Sequence, residues 1–289
     1  MKISSICKCN KMLGLDGLHP LVSVSILSQA GGECVVGNEC DFYRVVFLKS
    51  DAKSNVCGCC TYDFQTVTVL FLPPGRKLEV MPHFEVTGKA LLFHPKLFFD
   101  CELETVRDSY PFFEFSADEA LHLSMREYEV VNDSLTHISA ELSHYTDKYS
   151  RMILVKQISL FLDYCKRYYE RQFATRCKVN EETMRKIDGM VGDYYSTDKP
   201  LFCQYPPVSY FAPPLHFSEA YLREFIRFMR ELSFEGYLKE RVVNIAAHRI
   251  DDGKMSIEEI SRGLGFKSAR QFSSVFRSVT GASPSKIKG

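Results

Sequence analysis

The last 34 residues constrain the fold more than any other stretch of this chain. Ser256 stands ahead of Ile257-Glu-Glu-Ile260, a pattern that starts a helix: a hydroxyl to cap it and carboxylates in the first turn, where the helix dipole favours anions. Ile257, Ile260 and Leu264 recur at helical spacing and form one apolar stripe. Gly263 and Gly265 bracket the end, where a left-handed residue is expected. Ser268 is placed to cap a second helix, with Phe272, Val275, Phe276 and Val279 as its buried face and Gly281 as its stop. Lys267, Ala269, Arg270, Gln271, Ser274 and Arg277 are left on the exposed face.

Two short helices around a glycine turn, the second showing small, amide and arginine side chains, match a helix-turn-helix that reads the major groove of DNA. The competing reading is an ordinary helical hairpin in a larger core. On the first reading Arg270 gives guanine a bidentate hydrogen bond, Gln271 serves adenine in the same way, and Ala269 meets a thymine methyl. Lys267, Ser268, Ser274 and Arg277 are better placed for phosphates, which position a protein without reading sequence. Each could instead be a solvated surface residue. Lys286 and Lys288 fit non-specific phosphate contacts.

The pattern repeats at an offset of fifty residues: Ser218 answers to Ser268, Leu222 to Phe272, Ile226 to Phe276, Arg227 to Arg277 and Ser233 to Ser283. The repeat predicts a first helix-turn-helix near 207–233 with a recognition helix from Ser218 to Arg230, and it adds Arg223 and Arg227 to the candidate DNA contacts. This copy departs from the pattern. Pro213 and Pro214 fall where its leading helix should still be running, Glu231 replaces the closing glycine, and Glu219 and Glu224 share the presumed groove face with Arg223. It is either a scaffold that touches only the DNA backbone, the reading we prefer, or a reader of DNA after some reshaping. Between the copies, residues 233–250 read as one connecting helix of roughly 25 Å, which would set two recognition helices about one DNA turn apart.

Composition is that of an ordinary globular protein, long enough for two cores. Net charge is zero, yet from Pro206 onward there are 13 Lys/Arg against 9 Asp/Glu, and from Ser256 onward 6 against 2. A basic tail on a mildly acidic body fits a DNA-binding end joined to a different domain. No segment reads as a membrane span or a secretory signal, and eleven cysteines point to reduced thiols in the cytoplasm. Cys57-Gly-Cys-Cys60, with Cys7, Cys9, Cys34 and Cys40 upstream, raises a metal or redox site. However, Cys57 and Cys60 make one C-x₂-C with no second well-formed pair. His83 and His94 stand apart, and no triad, phosphate loop or H-E-x-x-H occurs, so no catalytic residue, cofactor or metal is expected.

Upstream, residues 20–115 look β-rich: Val22-Ser-Val-Ser-Ile26, Phe42–Leu48, Thr66–Leu72, Phe84–Val86 and Lys89–Phe93. The reading is a small sandwich or barrel. From Ser116 the period turns helical, with Leu121, Met125, Tyr128, Val131, Leu135, Ile138 and Leu142 on one stripe and a second helix from Asp147 to Phe173. A further helix over Val179–Val191 is followed by a turn-prone linker between Tyr194 and Pro207.

The order Ile257-x-x-Ile260-x-x-x-Leu264-Gly265-Phe266, then Phe272-Ser273-x-x-Phe276-Arg277, then Thr280-Gly281-x-Ser283-Pro284, resembles the C-terminal signature of the AraC/XylS family of bacterial transcription regulators. Ile287 and Lys288 stand where that family usually has an aromatic and an arginine. Leu72-Pro-Pro-Gly75 and Gly88-Lys-Ala-Leu-Leu-Phe-His-Pro95 resemble, more loosely, the cupin-type sensor at the front of many members, and Arg167-Tyr-Tyr-Glu-Arg-Gln-Phe173 is similar to a helix end found in such regulators. The resemblance implies an α+β chain with three parts. Residues 1–175 would be a cupin-like β-barrel with a helical pair, 176–205 a linker region, and 206–289 an all-α domain of two helix-turn-helix units joined by a linker helix. It implies a cytoplasmic homodimer, paired through those helices. Its partners would be double-stranded promoter DNA, a small-molecule effector in the N-terminal domain and RNA polymerase. The alternative is a cupin-like binding or enzyme domain whose DNA-binding tail has decayed.

Overall fold

The computed structural model describes residues 2–49, 67–78, 88–99 and 106–287. It divides into two compact units, Met1–Thr175 and Arg176–Gly289.

The first unit is built on an antiparallel sheet. After β1 (Lys2–Ile3) and α1 (Ile6–Met12) come β2 (Val22–Leu27), α2 (Gln29–Gly37), β3 (Glu39–Cys40), β4 (Tyr43–Lys49), β5 (Val67–Leu72) and β6 (Gly88–Phe93). α3 (Val106–Ser109) and β7 (Leu121–Leu123) follow. Among the described residues the main sheet has the order β2-β6-β4-β5-β7, with every pair antiparallel. Its centre is fixed by Val45 opposite both Leu91 and Phe71. The strands β2, β4, β5 and β6 fall where alternation and β-branched runs predict them; the expected strand at 84–86 lies outside the described residues. Among the described residues β2 and β7 each pair on one side only, so these strands form an open sheet and not the closed barrel expected.

One buried cation ties the sheet to its surroundings. Arg44 is wholly buried on β4 and donates from Nη1 to the carbonyls of Val35 (2.6 Å) and Asn38 (2.8 Å), and from Nη2 to that of Arg76. Carbonyl oxygens, two of them at or just past the end of α2, thus take the place of a carboxylate. The thiols of Cys9 and Cys40 lie in the same apolar core. Burial pushes Cys9 up to about 12 and raises Cys40 and Cys34, so none of them is a ready thiolate. Among the described residues no group of three or more His, Cys, Asp and Glu side chains could hold a metal; Cys57, Cys59 and Cys60 lie outside them.

Two helices cover the sheet: α4 (Met125–Ser143) and α5 (Ser150–Thr175). The helix expected from Ser116 starts later. Ser116 and Glu119 do make a capping box, but it closes only a 3₁₀ turn over Ala117–Glu119. Leu121–Leu123 is then drawn into pairing with Val67–Val69, and the helix begins at a second box, Ser124 with Glu127. Glu127 also receives Arg171 of α5 at 2.9 and 2.8 Å, while Gln172 receives the backbone N–H of His122 and donates to Ala120 O. Arg171 and Gln172, within the Arg167–Phe173 stretch noted in the sequence, therefore tie α5 to the start of α4 and to β7.

The second unit is all helical: α6 (Cys177–Tyr195), α7 (Lys199–Phe202), α8 (Val208–Phe211), α9 (Glu219–Arg230), α10 (Phe234–Asp251), α11 (Ile257–Gly263), α12 (Ala269–Thr280) and α13 (Pro284–Ile287). Residues 176–205, expected as a linker, mostly pack as part of this unit. Asp188 of α6 accepts a 2.6 Å hydrogen bond from the Tyr237 hydroxyl, pairs with Arg241 at 3.0 Å and stands 3.6 Å from Arg230, the last residue of α9. Among the described residues no helix is long and apolar enough to cross a membrane.

Candidate nucleic-acid interface

The C-terminal motif folds as its residues dictate. Ser256 Oγ accepts from Glu259 N (3.2 Å) and the Glu259 carboxylate accepts in turn from Ser256 N (2.7 Å), which sets the start of α11. Gly265 holds the turn at φ +78, and Gly281 ends α12 at φ +75 with its N–H on Arg277 O. Ile260, Leu264, Phe266, Phe272 and Phe276 are buried between the helices. The buried face of α12 is narrower than its sequence suggests: Val275 is half-buried and Val279 is 40% exposed.

Opposite the two phenylalanines, Arg270, Ser274 and Arg277 are exposed at spacings of four and three, so they share one face of α12, with Lys267 and Ser268 exposed at its entry and Ala269 half-buried. α12 contains no carboxylate, and among the described residues no acidic side chain is paired with Arg270 or Arg277. A helix N-terminus, free cations and the absence of acid suit a polyanion.

Gln271 has a task beside the base contact expected of it. Its backbone N–H bonds Ser268 Oγ (3.2 Å), and its side-chain Oε1 accepts the N–H of Lys267 (3.1 Å). It therefore fastens the entry of α12. The signal was in the sequence, since Ser268-x-x-Gln271 has capping-box spacing.

The first copy has the same frame with different details. Ser218 caps α9 through Tyr221 N (3.2 Å) as Ser268 caps α12. Glu231 takes the left-handed position of Gly281, at φ +56, with its N–H on Arg227 O. The prolines act as expected: α8 stops at Phe211, Pro213 and Pro214 enter a 3₁₀ turn, and His216 turns the chain at φ +55. Its two candidate contacts are already engaged. Arg223 pairs with Glu235 at 2.5 Å, and Arg227 with Glu224 one turn back. The Arg223 hydrogen bond holds the Glu235 carboxyl below its usual range. The structure thus brings Lys267, Ser268, Ala269, Arg270, Ser274 and Arg277 to one unneutralised surface, and leaves Arg223 and Arg227 on a surface that carries its own counter-charges.

Residues 211–289 match the family model of a helix-turn-helix domain. The Msm operon regulatory protein of Streptococcus mutans is 32% identical over 77 residues, which are 27% of this chain and 28% of that protein. The chain therefore spans little more than a quarter of that relative. Among solved structures, the C-terminal domain of AraT, a response regulator from Geobacillus stearothermophilus, is 22% identical with a TM-score of 0.31, covering 37% of this chain and 83% of that one. ToxT from Vibrio cholerae, solved with an unsaturated fatty acid, is 14% identical with a TM-score of 0.32, covering 93% of each chain. At these scores neither structure bears on how this chain is arranged.

Proposed function

We propose, for a chain whose C-terminal segment belongs to the AraC/XylS type of helix-turn-helix domain, that it is a sequence-specific DNA-binding regulator of transcription. The observation that carries the reading is the free basic face of α12, with Arg270, Ser274 and Arg277 in line and no carboxylate on the helix. Arg270 reads a base; Lys267, Ser268, Ser274 and Arg277 hold phosphates, and Ala269 faces a base methyl. The first copy contributes backbone contacts through Arg223 and Arg227, and only after their carboxylates are displaced. Nothing in this role asks for catalysis, so we read the chain as no enzyme.

The remaining parts follow from this reading. We take the N-terminal unit as a cupin-like sensor, supported by its antiparallel sheet. A cavity of about 360 Å³ beside β6 and α4, lined by Ile26, Phe47, Val67, Lys89 and Tyr128, supports a small-molecule effector. Pairing of two copies through α4 and α5 is supported by the exposed Met152, Ile153 and Leu160 on α5. A promoter-binding role places the protein in the cytoplasm, with RNA polymerase as a further partner. The test is to purify the full chain from cells, sequence the DNA that accompanies it, and measure gel-shift affinity for the enriched fragments against shuffled ones. Equal affinity for both would remove sequence-specific binding from the proposal.

A further inference from the structure

Between α6 and α8 the chain makes a short strap, residues 196–207, that matches no part of the helix-turn-helix pattern and lies outside its family match. Its contacts are specific. Two adjacent tyrosines at the end of α6 hold it by its backbone: the Tyr194 hydroxyl donates to Cys203 O and the Tyr195 hydroxyl to Gln204 O, both at 2.5 Å. Burial pushes both phenols above their usual range, so both remain protonated donors at neutral pH. Arg249 of α10 donates to Tyr195 O at 2.7 Å, and its guanidinium also lies beside Gly263 at the end of α11. On one side the strap meets the first copy, with the Lys199 ammonium 5.1 Å from the Tyr210 ring centre and that ring against Tyr194.

On its other side the strap meets the turn of the second copy. A Cβ at position 265 would fall 2.0 Å from Pro200 O and 3.1 Å from Gln204 Cα. Backbone is packed on backbone at the residue that turns α11 into α12. From there the path to the base-reading face is short. Phe266 stacks edge-on against Phe272 at 5.2 Å, Lys267 N is held by Gln271, Ser268 caps α12, and Arg270 is the second residue of that helix.

We propose that this strap is a positioning element for base readout: by clamping the Gly265 turn it fixes the direction in which α12 presents Arg270. The proposal rests on the DNA-binding reading above. A bidentate arginine–guanine contact needs placement to within about 0.5 Å, whereas a phosphate contact tolerates more. Loosening the strap therefore costs discrimination before it costs affinity. Tyr194 and Tyr195 act through the turn and touch no base.

The test uses the full-length chain, the double variant Y194F/Y195F, which keeps both rings and removes both strap bonds, and Pro200→Gly, which loosens the strap without touching them. Dissociation constants are measured for two probes: a duplex selected by the wild-type chain from a random library, and poly(dI-dC). Thermal melts by circular dichroism identify which variants are folded. We expect the dissociation constant for the selected duplex to rise about tenfold relative to that for poly(dI-dC) in a folded variant, with the poly(dI-dC) constant itself moving less than twofold. Adding Arg270→Ala should then cost little more. A folded variant with an unchanged ratio overturns the proposal, as does one whose affinities for both probes fall by one common factor. A wild-type chain that retains neither duplex overturns the DNA-binding reading itself, and the proposal with it.

Discussion

Arg270 and Arg223 are candidate contacts on the two recognition helices, three positions apart in the fifty-residue register, and they differ in what already holds them. Arg270 is exposed without a carboxylate partner, whereas Arg223 is bound to Glu235. Arg270→Ala should therefore lose about 1–3 kcal/mol of discrimination at one or two base pairs. Arg223→Glu should lower affinity less, and evenly across sequences. Competition binding against a panel of single-base variants separates the two; a wild-type ranking of the panel by the Arg270 variant would show that this side chain reads no base. Gln271 shows a second role that its residue type alone does not announce. An amide on an exposed helix face suits adenine, but the unsatisfied N–H groups at a helix start compete for it first. The outcome was legible only in the spacing from Ser268.

At the scale of single elements, local chemistry was legible wherever it did not have to compete. Strands β2, β4, β5 and β6 follow from alternation and apolar runs, and each recognition helix from its capping serine and its stripe. The helix expected from Ser116 failed because a good capping box does not say how long the helix behind it will be. Leu121 satisfies the helical stripe with Met125, but Leu121 and Leu123 also alternate as a sheet edge does, and the backbone pairing offered by β5 decides for the sheet. Whether a sheet closes is hard to read from sequence for a related reason, since edge pairing depends on partners far along the chain. Glu231 offers a direct test of the damaged copy. A side chain in the left-handed region costs about 1–2 kcal/mol, part of which glycine returns through its freer unfolded chain. Glu231→Gly should then raise the stability of the second unit by up to about 1 kcal/mol, read from urea melts. A loss of stability would show that the glutamate side chain holds this corner.

At the scale of the whole molecule, the chain forms two compact units divided near residue 176, where the sequence reading sets a linker over 176–205. The turn-prone residues after Tyr194 suggested a tether, whereas Asp188, Tyr194 and Tyr195 draw that region into the helical unit. Fragments separate these readings. Residues 176–289 should melt cooperatively and bind DNA, while 206–289, deprived of α6 and the strap, should melt earlier and bind at least tenfold more weakly. In the same series, residues 1–175 should sediment as a dimer if α4 and α5 pair between copies. Equal behaviour of the two C-terminal fragments, or a monomeric 1–175 alongside a monomeric full chain, would count against the respective assignment. The carboxylates that hold Arg223 and Arg227 also have a thermodynamic consequence in ions. An arginine already neutralised by its own protein displaces no condensed cation when it meets a phosphate; it exchanges one partner for another. Each free cation that engages the duplex should steepen the fall of log affinity with log salt by about 0.9, and those two arginines should add almost nothing. Glu235→Gln and Glu224→Gln should therefore leave the protein more basic and make its grip on DNA more salt-sensitive, by nearly one ion for each carboxylate removed.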